Sequence, residues 1–188
     1  IKELIVCIME GDFVYVWGPS GSGKSYALEQ VASLVGLDMI ENGKITDVYS
    51  ITGYYDPRGQ FKATPTFNAL YNGKLLNNEE FDNGNTDTHV VLNGIQSKLS
   101  KAIRNPMKEY YVTFAGDMRV PINPNFRMAA TGNTDCKGEN EVYSARGRVD
   151  ESVQDRLVPK LFLYDNRVEE RILKNAPLRR SIFFSILA

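Results

Sequence analysis

The sequence is short of the residues that staple or metallate small proteins. Its 188 residues hold two cysteines, Cys7 and Cys136, and one histidine, His89. Two isolated thiols exclude a disulfide framework, and with a single histidine they lack the clustered spacing of a zinc site. Cys7 and Cys136 therefore read as ordinary thiols, and His89 as a helix-surface or packing residue rather than a catalyst. Excess charge is missing too: 22 basic residues face 23 acidic ones, a net charge of -1. That balance gives no overall electrostatic pull toward nucleic acid or a membrane surface. No apolar run approaches the ~18 residues of a membrane span, and Ile1-Lys2-Glu3 does not begin a signal peptide. A cytoplasmic protein is the expectation. No internal repeat or low-complexity tract divides the chain, whose length fits one domain, 1–188, with a sizeable core. Because it starts at Ile rather than Met, the sequence reads as a fragment.

What is present centres on one stretch, Gly18-Pro19-Ser20-Gly21-Ser22-Gly23-Lys24-Ser25. It follows the apolar run Phe13-Val14-Tyr15-Val16-Trp17 and precedes a helical pattern, so GxxxxGK[ST] falls in strand, loop, helix order. Backbone N–H groups can surround a phosphate only where the chain turns tightly without Cβ atoms in the way. The helix beginning near Lys24 adds its positive dipole end and its unpaired N–H groups. Lys24 is expected to reach the β- and γ-phosphates and the Ser25 hydroxyl to ligate Mg²⁺. Residues Gly18 to Tyr26 are thus the candidate nucleotide contacts.

The rest of the chain alternates strand and helix signals. Ala27, Leu28, Val31, Ala32, Leu34 and Val35 recur at helical spacing up to Gly36, and Leu37 to Ile40 read as a second strand. Residues 42–66 are long for a bare connection, with a turn at Asp56-Pro57-Arg58-Gly59. A short helix at Thr66–Tyr71 precedes Lys74–Asp82, a strand running into Glu79, Glu80 and Asp82. A carboxylate at such a strand end beside the loop serves to hold Mg²⁺ through its water shell and to orient an attacking water. A helix over 86–103, a hairpin from 110–114 and 118–122, a strand over Phe126–Asn133, a short helix at Glu151–Leu157, a strand at Lys160–Tyr164 and a helix at Val168–Leu173 complete the series. This pattern predicts an α/β fold with a mainly parallel five-stranded sheet flanked by helices. Ligands of such sheets sit at the carboxyl ends of the strands, where the loop, Glu79, Glu80 and Asn133 all fall.

Four blocks in this order resemble the AAA+ ATPases, in particular the MoxR-like, dynein-related branch that includes cobaltochelatase small-subunit-like proteins. They are Gly18–Ser25 (Walker A), Glu79-Glu80-Phe81-Asp82 (the DExD ending of Walker B), Asn125–Asn133 (the FRxxATGN sensor-1 strand), and Tyr143-Ser144-Ala145-Arg146 through Asp155-Arg156-Leu157 (the segment ending in an arginine finger). The resemblance implies a P-loop NTPase that uses ATP and Mg²⁺. Glu79 would hold the magnesium shell together with Ser25, Glu80 would polarise the water, and Asn133 would place it. Arg156 would act on the neighbouring subunit's site, with Arg146 and Arg148 as competitors for that role. The hairpin at 110–122 matches the presensor insertion and residues 45–62 the helix-2 insertion.

The resemblance also implies a homo-oligomer, most simply a hexamer, that remodels or activates a partner protein, often one with a von Willebrand factor A domain. Departures from the pattern keep other readings open. Glu79 stands where the family usually has Asp, Asn77-Asn78 interrupt an apolar strand, and Leu157 replaces an aromatic residue. Only 24 residues follow Tyr164, too few for the helical lid, so the lid is missing or truncated. Its sensor-2 arginine is not assignable, although Arg179 and Arg180 are in the tail. A low-turnover nucleotide switch and a GTP-specific relative are the alternatives, with a small-molecule P-loop kinase behind them for want of an acceptor pocket.

Overall fold

The computed structural model describes residues 1–138 and 148–165. The chain opens with α1 (Lys2–Glu10), turns into β1 (Phe13–Trp17), and passes through the glycine-rich loop into α2 (Lys24–Leu34). Next come β2 (Met39–Asn42), α3 (Tyr49–Thr52), the short strands β3 (Tyr54–Tyr55) and β4 (Phe61–Lys62), α4 (Pro65–Asn72) and β5 (Leu75–Asn78). A 3-10 turn at Phe81–Asn83 leads to α5 (Thr86–Arg104), β6 (Tyr111–Phe114), β7 (Met118–Pro121), β8 (Arg127–Gly132), α6 (Glu151–Gln154) and β9 (Leu157–Leu161).

Five strands form one sheet in the order β2-β5-β8-β1-β9, and every neighbouring pair is parallel. A sheet of this kind is covered on both faces, so its inner strands are apolar on both sides. β1 shows the division. Phe13 and Tyr15 join the larger core with Leu76, Met128 and Ala130, against α4, α5 and the two hairpins. Val14 and Val16 join the smaller one with Leu75 and Ala129, against α1 and α2. The predicted five-stranded parallel α/β architecture is the observed one.

Several boundaries differ from the sequence reading, among them that of β5, which ends at Asn78 rather than running on to Asp82, so the carboxylates lie in the turn beyond it. The second strand begins at Met39 rather than Leu37, because the Leu37 amide still bonds back to the Ala32 carbonyl at 2.9 Å to finish α2. The last strand is Leu157–Leu161, not Lys160–Tyr164, and α6 stops at Gln154. Pro159 lies inside that strand, where a residue without an N–H is ordinarily excluded. β9 lies at the sheet edge, however, paired only with β1, and an edge strand tolerates a residue without an N–H. The expected helix at 168–173, most of the proposed lid remnant at 165–188, Arg146, Arg179 and Arg180 lie outside the described residues.

The hairpin expected over 110–122 is observed, and the segment read as a long connection with a turn forms α3 and a hairpin of its own that packs against it. β3 and β4 pair antiparallel across the predicted turn, where the Asp56 carboxylate accepts from the amides of Arg58 and Gln60 at 2.9 Å each. β6 and β7 form the second hairpin. Tyr55, Phe61, Phe67 and Phe114 link the two through ring contacts of 5.0–5.6 Å. His89 is buried, lies against Phe81 with ring centroids 4.4 Å apart and bonds the Phe81 carbonyl at 2.9 Å, so it is a packing residue. Burial holds its pKa below the usual histidine value. Both cysteines are free thiols. Burial pushes the Cys136 thiol up to about 12, so it stays protonated and inert at neutral pH. Among the described residues no helix is long and apolar enough to cross a membrane.

One core position carries an avoidable cost. Asn77 is fully buried on the Leu75 side of β5, and neither atom of its carboxamide has a hydrogen-bond partner. Its neighbour Asn78 differs, since it donates to the Ala129 carbonyl at 3.2 Å and accepts from Asn42 at 3.5 Å. An unpaired buried amide costs ~1–3 kcal/mol. Asn77→Val is therefore expected to raise the melting temperature by about 2–8 °C in thermal unfolding. Asn78→Val is expected to lower it, because the Asn42 and Ala129 groups lose their partner.

Candidate functional site

The glycine-rich loop leaves the carboxyl end of β1 and closes at α2. Gly18 has no room for a side chain: a Cβ there would lie 2.0 Å from the Phe162 carbonyl oxygen, where β9 ends beside the loop. The Phe162 amide fixes that approach by donating to Trp17 at 2.7 Å. From the same segment the Tyr164 hydroxyl donates to the Ser20 carbonyl. Neither Phe162 nor Tyr164 was marked in the sequence, because no pattern announces that a segment passes beside a loop so far from it in the chain.

Lys24 turns back over the loop. Its ammonium donates to the carbonyls of Gly18 at 2.9 Å and Pro19 at 2.8 Å, and to Asn133 Oδ1 at 3.2 Å. Desolvation lowers its pKa, and the Asp82 carboxylate opposes that shift. Ser25, on the first turn of α2, donates its hydroxyl to Glu79 Oε1 at 2.9 Å. The extra methylene of Glu79 thus does not carry its carboxylate out of reach of the serine.

Glu80 sits one residue further on, with φ 49 and ψ 38, a left-handed backbone that non-glycine residues seldom adopt. Its carboxylate accepts from the Asn83 side chain at 3.2 Å. Such strain persists only where the surroundings enforce it, and it gathers at working sites. Together Lys24, Ser25, Tyr26, Glu79, Glu80 and Asn133 line one open cleft of about 390 Å³ at the carboxyl ends of the strands. The sequence reading placed these residues there, and the structure brings them together.

Asp82 is a site component that sequence reasoning passed over. Its buried carboxylate takes the backbone amides of Asn133 and Thr134 and the Thr134 hydroxyl. The sequence offers only a third acid in a charged run, and charge alone gives no sign of burial.

Arg156 lies elsewhere. It immediately precedes Leu157, which pairs with Phe13 at the amino end of β1, whereas the loop leaves the carboxyl end. Four steps along a strand separate these ends, and the loop lies beyond the last of them, so the span is roughly 15 Å at ~3.3 Å per residue. The guanidinium is exposed, donates to the Asn93 carbonyl at 3.4 Å, and forms no ion pair among the described residues. It cannot act on its own chain's loop. Arg148 is paired with Glu151.

The cleft suits a magnesium–triphosphate pair on two counts. Its loop is a glycine cradle that a Cβ at position 18 would block, and it sets the Ser25 hydroxyl against the Glu79 carboxylate, two oxygen donors in contact. Mg²⁺ takes oxygen ligands, commonly one or two from protein and the rest from phosphate and water. Among the described residues no group of three or more His, Cys, Asp or Glu gathers as a self-sufficient metal site.

Comparison with sequence-defined families and with curated proteins returns no match. Among solved structures, the chain resembles a protein from Cytophaga hutchinsonii assigned as an ATPase, with a TM-score of 0.61 at 19% identity. The similarity covers 92% of this chain and 48% of that one, so the chain spans about half the length of its structural relative. That likeness shows a shared fold.

Proposed function

We propose that this chain is the nucleotide-binding core of an AAA+ ATPase of the MoxR-like branch, a ring subunit that hydrolyses ATP to remodel or activate a partner protein. The observation that carries the reading is the convergence of Lys24, the Ser25–Glu79 pair, Glu80 and Asn133 on one cleft. In it, main-chain amides from Gly18 to Ser25 bind the phosphates and Lys24 exchanges its carbonyl partners for the β- and γ-phosphates. Ser25 and Glu79 would hold Mg²⁺, which when bound would neutralise negative charge on the phosphates. Glu80 takes a proton from the attacking water, Asn133 orients that water, and Arg156 reaches the adjacent subunit's nucleotide. The two hairpins, joined by their aromatic contacts, face the partner or the ring pore. Contact between Ser25 and Glu79 favours hydrolysis over the low-turnover switch, because it keeps the serine and carboxylate together despite the longer side chain.

The reading is tested by measuring phosphate release per chain across protein concentration, with ATP and GTP side by side. A shared site predicts turnover that rises steeply as subunits assemble, and a preference for ATP. Turnover independent of concentration would overturn the ring, and no binding of either Mg-nucleotide would overturn the whole reading.

A further inference from the structure

Asp82 is the one buried carboxylate among the described residues, at 1% exposure. A buried carboxylate is tolerated only where hydrogen bonds replace its water. Here a single oxygen, Oδ2, accepts three: from the Asn133 amide at 3.0 Å, the Thr134 amide at 2.9 Å and the Thr134 hydroxyl at 2.9 Å. Tyr15, from the middle of β1, donates its hydroxyl to the Thr134 carbonyl at 2.6 Å. Gly132 completes the contact, since a Cβ there would fall 2.0 Å from Tyr15 Oη and 2.9 Å from Asp82 Oδ1. The end of β8 is thereby pressed onto the turn that follows β5. Its next side chain, Asn133, meets Lys24 in the cleft.

We infer that Asp82 is a positioning residue, which grips the two amides beyond β8 and so fixes where the Asn133 carboxamide stands relative to the phosphate loop. This rests on the hydrolytic reading above. Three donors converging on one oxygen call for the full charge of a carboxylate, because hydrogen bonds to an ionised acceptor are about twice as strong as those to a neutral one. Asn at this position keeps the shape and loses the charge. Water placement tolerates little displacement, and a misplacement of about 1 Å can cost about 100-fold in rate.

The test is a double-mutant cycle on purified full chain, with Asp82→Asn, Asn133→Ala and the pair, reading kcat and Mg·ATP affinity separately and confirming the fold by circular dichroism. Expected for Asp82→Asn is a kcat lower by about 10- to 100-fold with affinity within about twofold, and a double variant no slower than Asn133→Ala, as residues acting through one another are non-additive. Thr134→Val removes one of the three donors without adding volume. It is expected to lower kcat by about 3- to 10-fold, and it replaces Asp82→Asn in the cycle if that variant fails to fold. Multiplying losses, an affinity that falls in step with kcat, or an unchanged kcat would overturn the inference. A wild type that hydrolyses while Asp82→Asn matches it removes the inference alone, whereas a wild type with no turnover removes both it and the hydrolytic reading.

Discussion

Glu80→Gln is expected to bind Mg·ATP with near-normal affinity and to hydrolyse it about 10²- to 10⁴-fold more slowly, the range a positioned general base contributes. The substitution is isosteric and leaves the loop, Lys24 and the Ser25–Glu79 pair in place. What it removes is the ability to accept a proton at the point where the Glu80 backbone, at φ 49, turns the side chain into the cleft. Lys24→Ala offers the contrast, since it takes away the cation that the loop surrounds and is expected to weaken binding itself. Calorimetric titration with Mg·ATP beside single-turnover hydrolysis separates the two. If Glu80→Gln turns over like the wild type, the base lies elsewhere, and the backbone strain at this position needs a structural explanation.

The parts of this protein that could be read from sequence are those where main-chain geometry dictates residue type. Gly18 is required by a carbonyl at what would be contact distance, and Lys24-Ser25 by the helix start, so that motif and structure coincide. The apolar runs of β1 and β8 were equally readable, since both are inner strands buried on both faces. At the sheet edge the signal failed, because β9 owes its position to pairing with β1 rather than to its own apolar residues, and the apolar run from Leu161 to Leu163 drew the expected strand three residues too far along. Asp82 was opaque for a different reason. Its role depends on which donors surround it, and Asn133 and Thr134 are about fifty residues away in the chain. Arg156 was picked out by resemblance alone. Its distance from its own loop follows from the parallel register of β9, which no local pattern contains.

That register leads to the second large effect. Arg156→Ala is expected to lower turnover by about 10³- to 10⁵-fold, as loss of an arginine finger does, while the fold and nucleotide affinity persist. Persistence is expected because the guanidinium is exposed and its one described contact is a long bond to the Asn93 carbonyl. A charge that stands at the amino ends of its own strands can reach a γ-phosphate only across a subunit boundary. The proposed ring would supply that boundary through a head-to-tail interface, with each loop facing the start of its neighbour's β9. Mixing makes the claim decisive. Lys24→Ala chains retain the finger and Arg156→Ala chains retain the loop, so a random one-to-one ring restores a competent interface at about a quarter of its junctions. Two preparations that are each inactive should therefore gain turnover when combined, in proportion to those junctions and only under conditions where rings form. If the mixture remains as inactive as its components while both variants still assemble, Arg156 does not complete a neighbour's site, and the exposed Arg156 side chain has to be explained by a surface other than the subunit boundary.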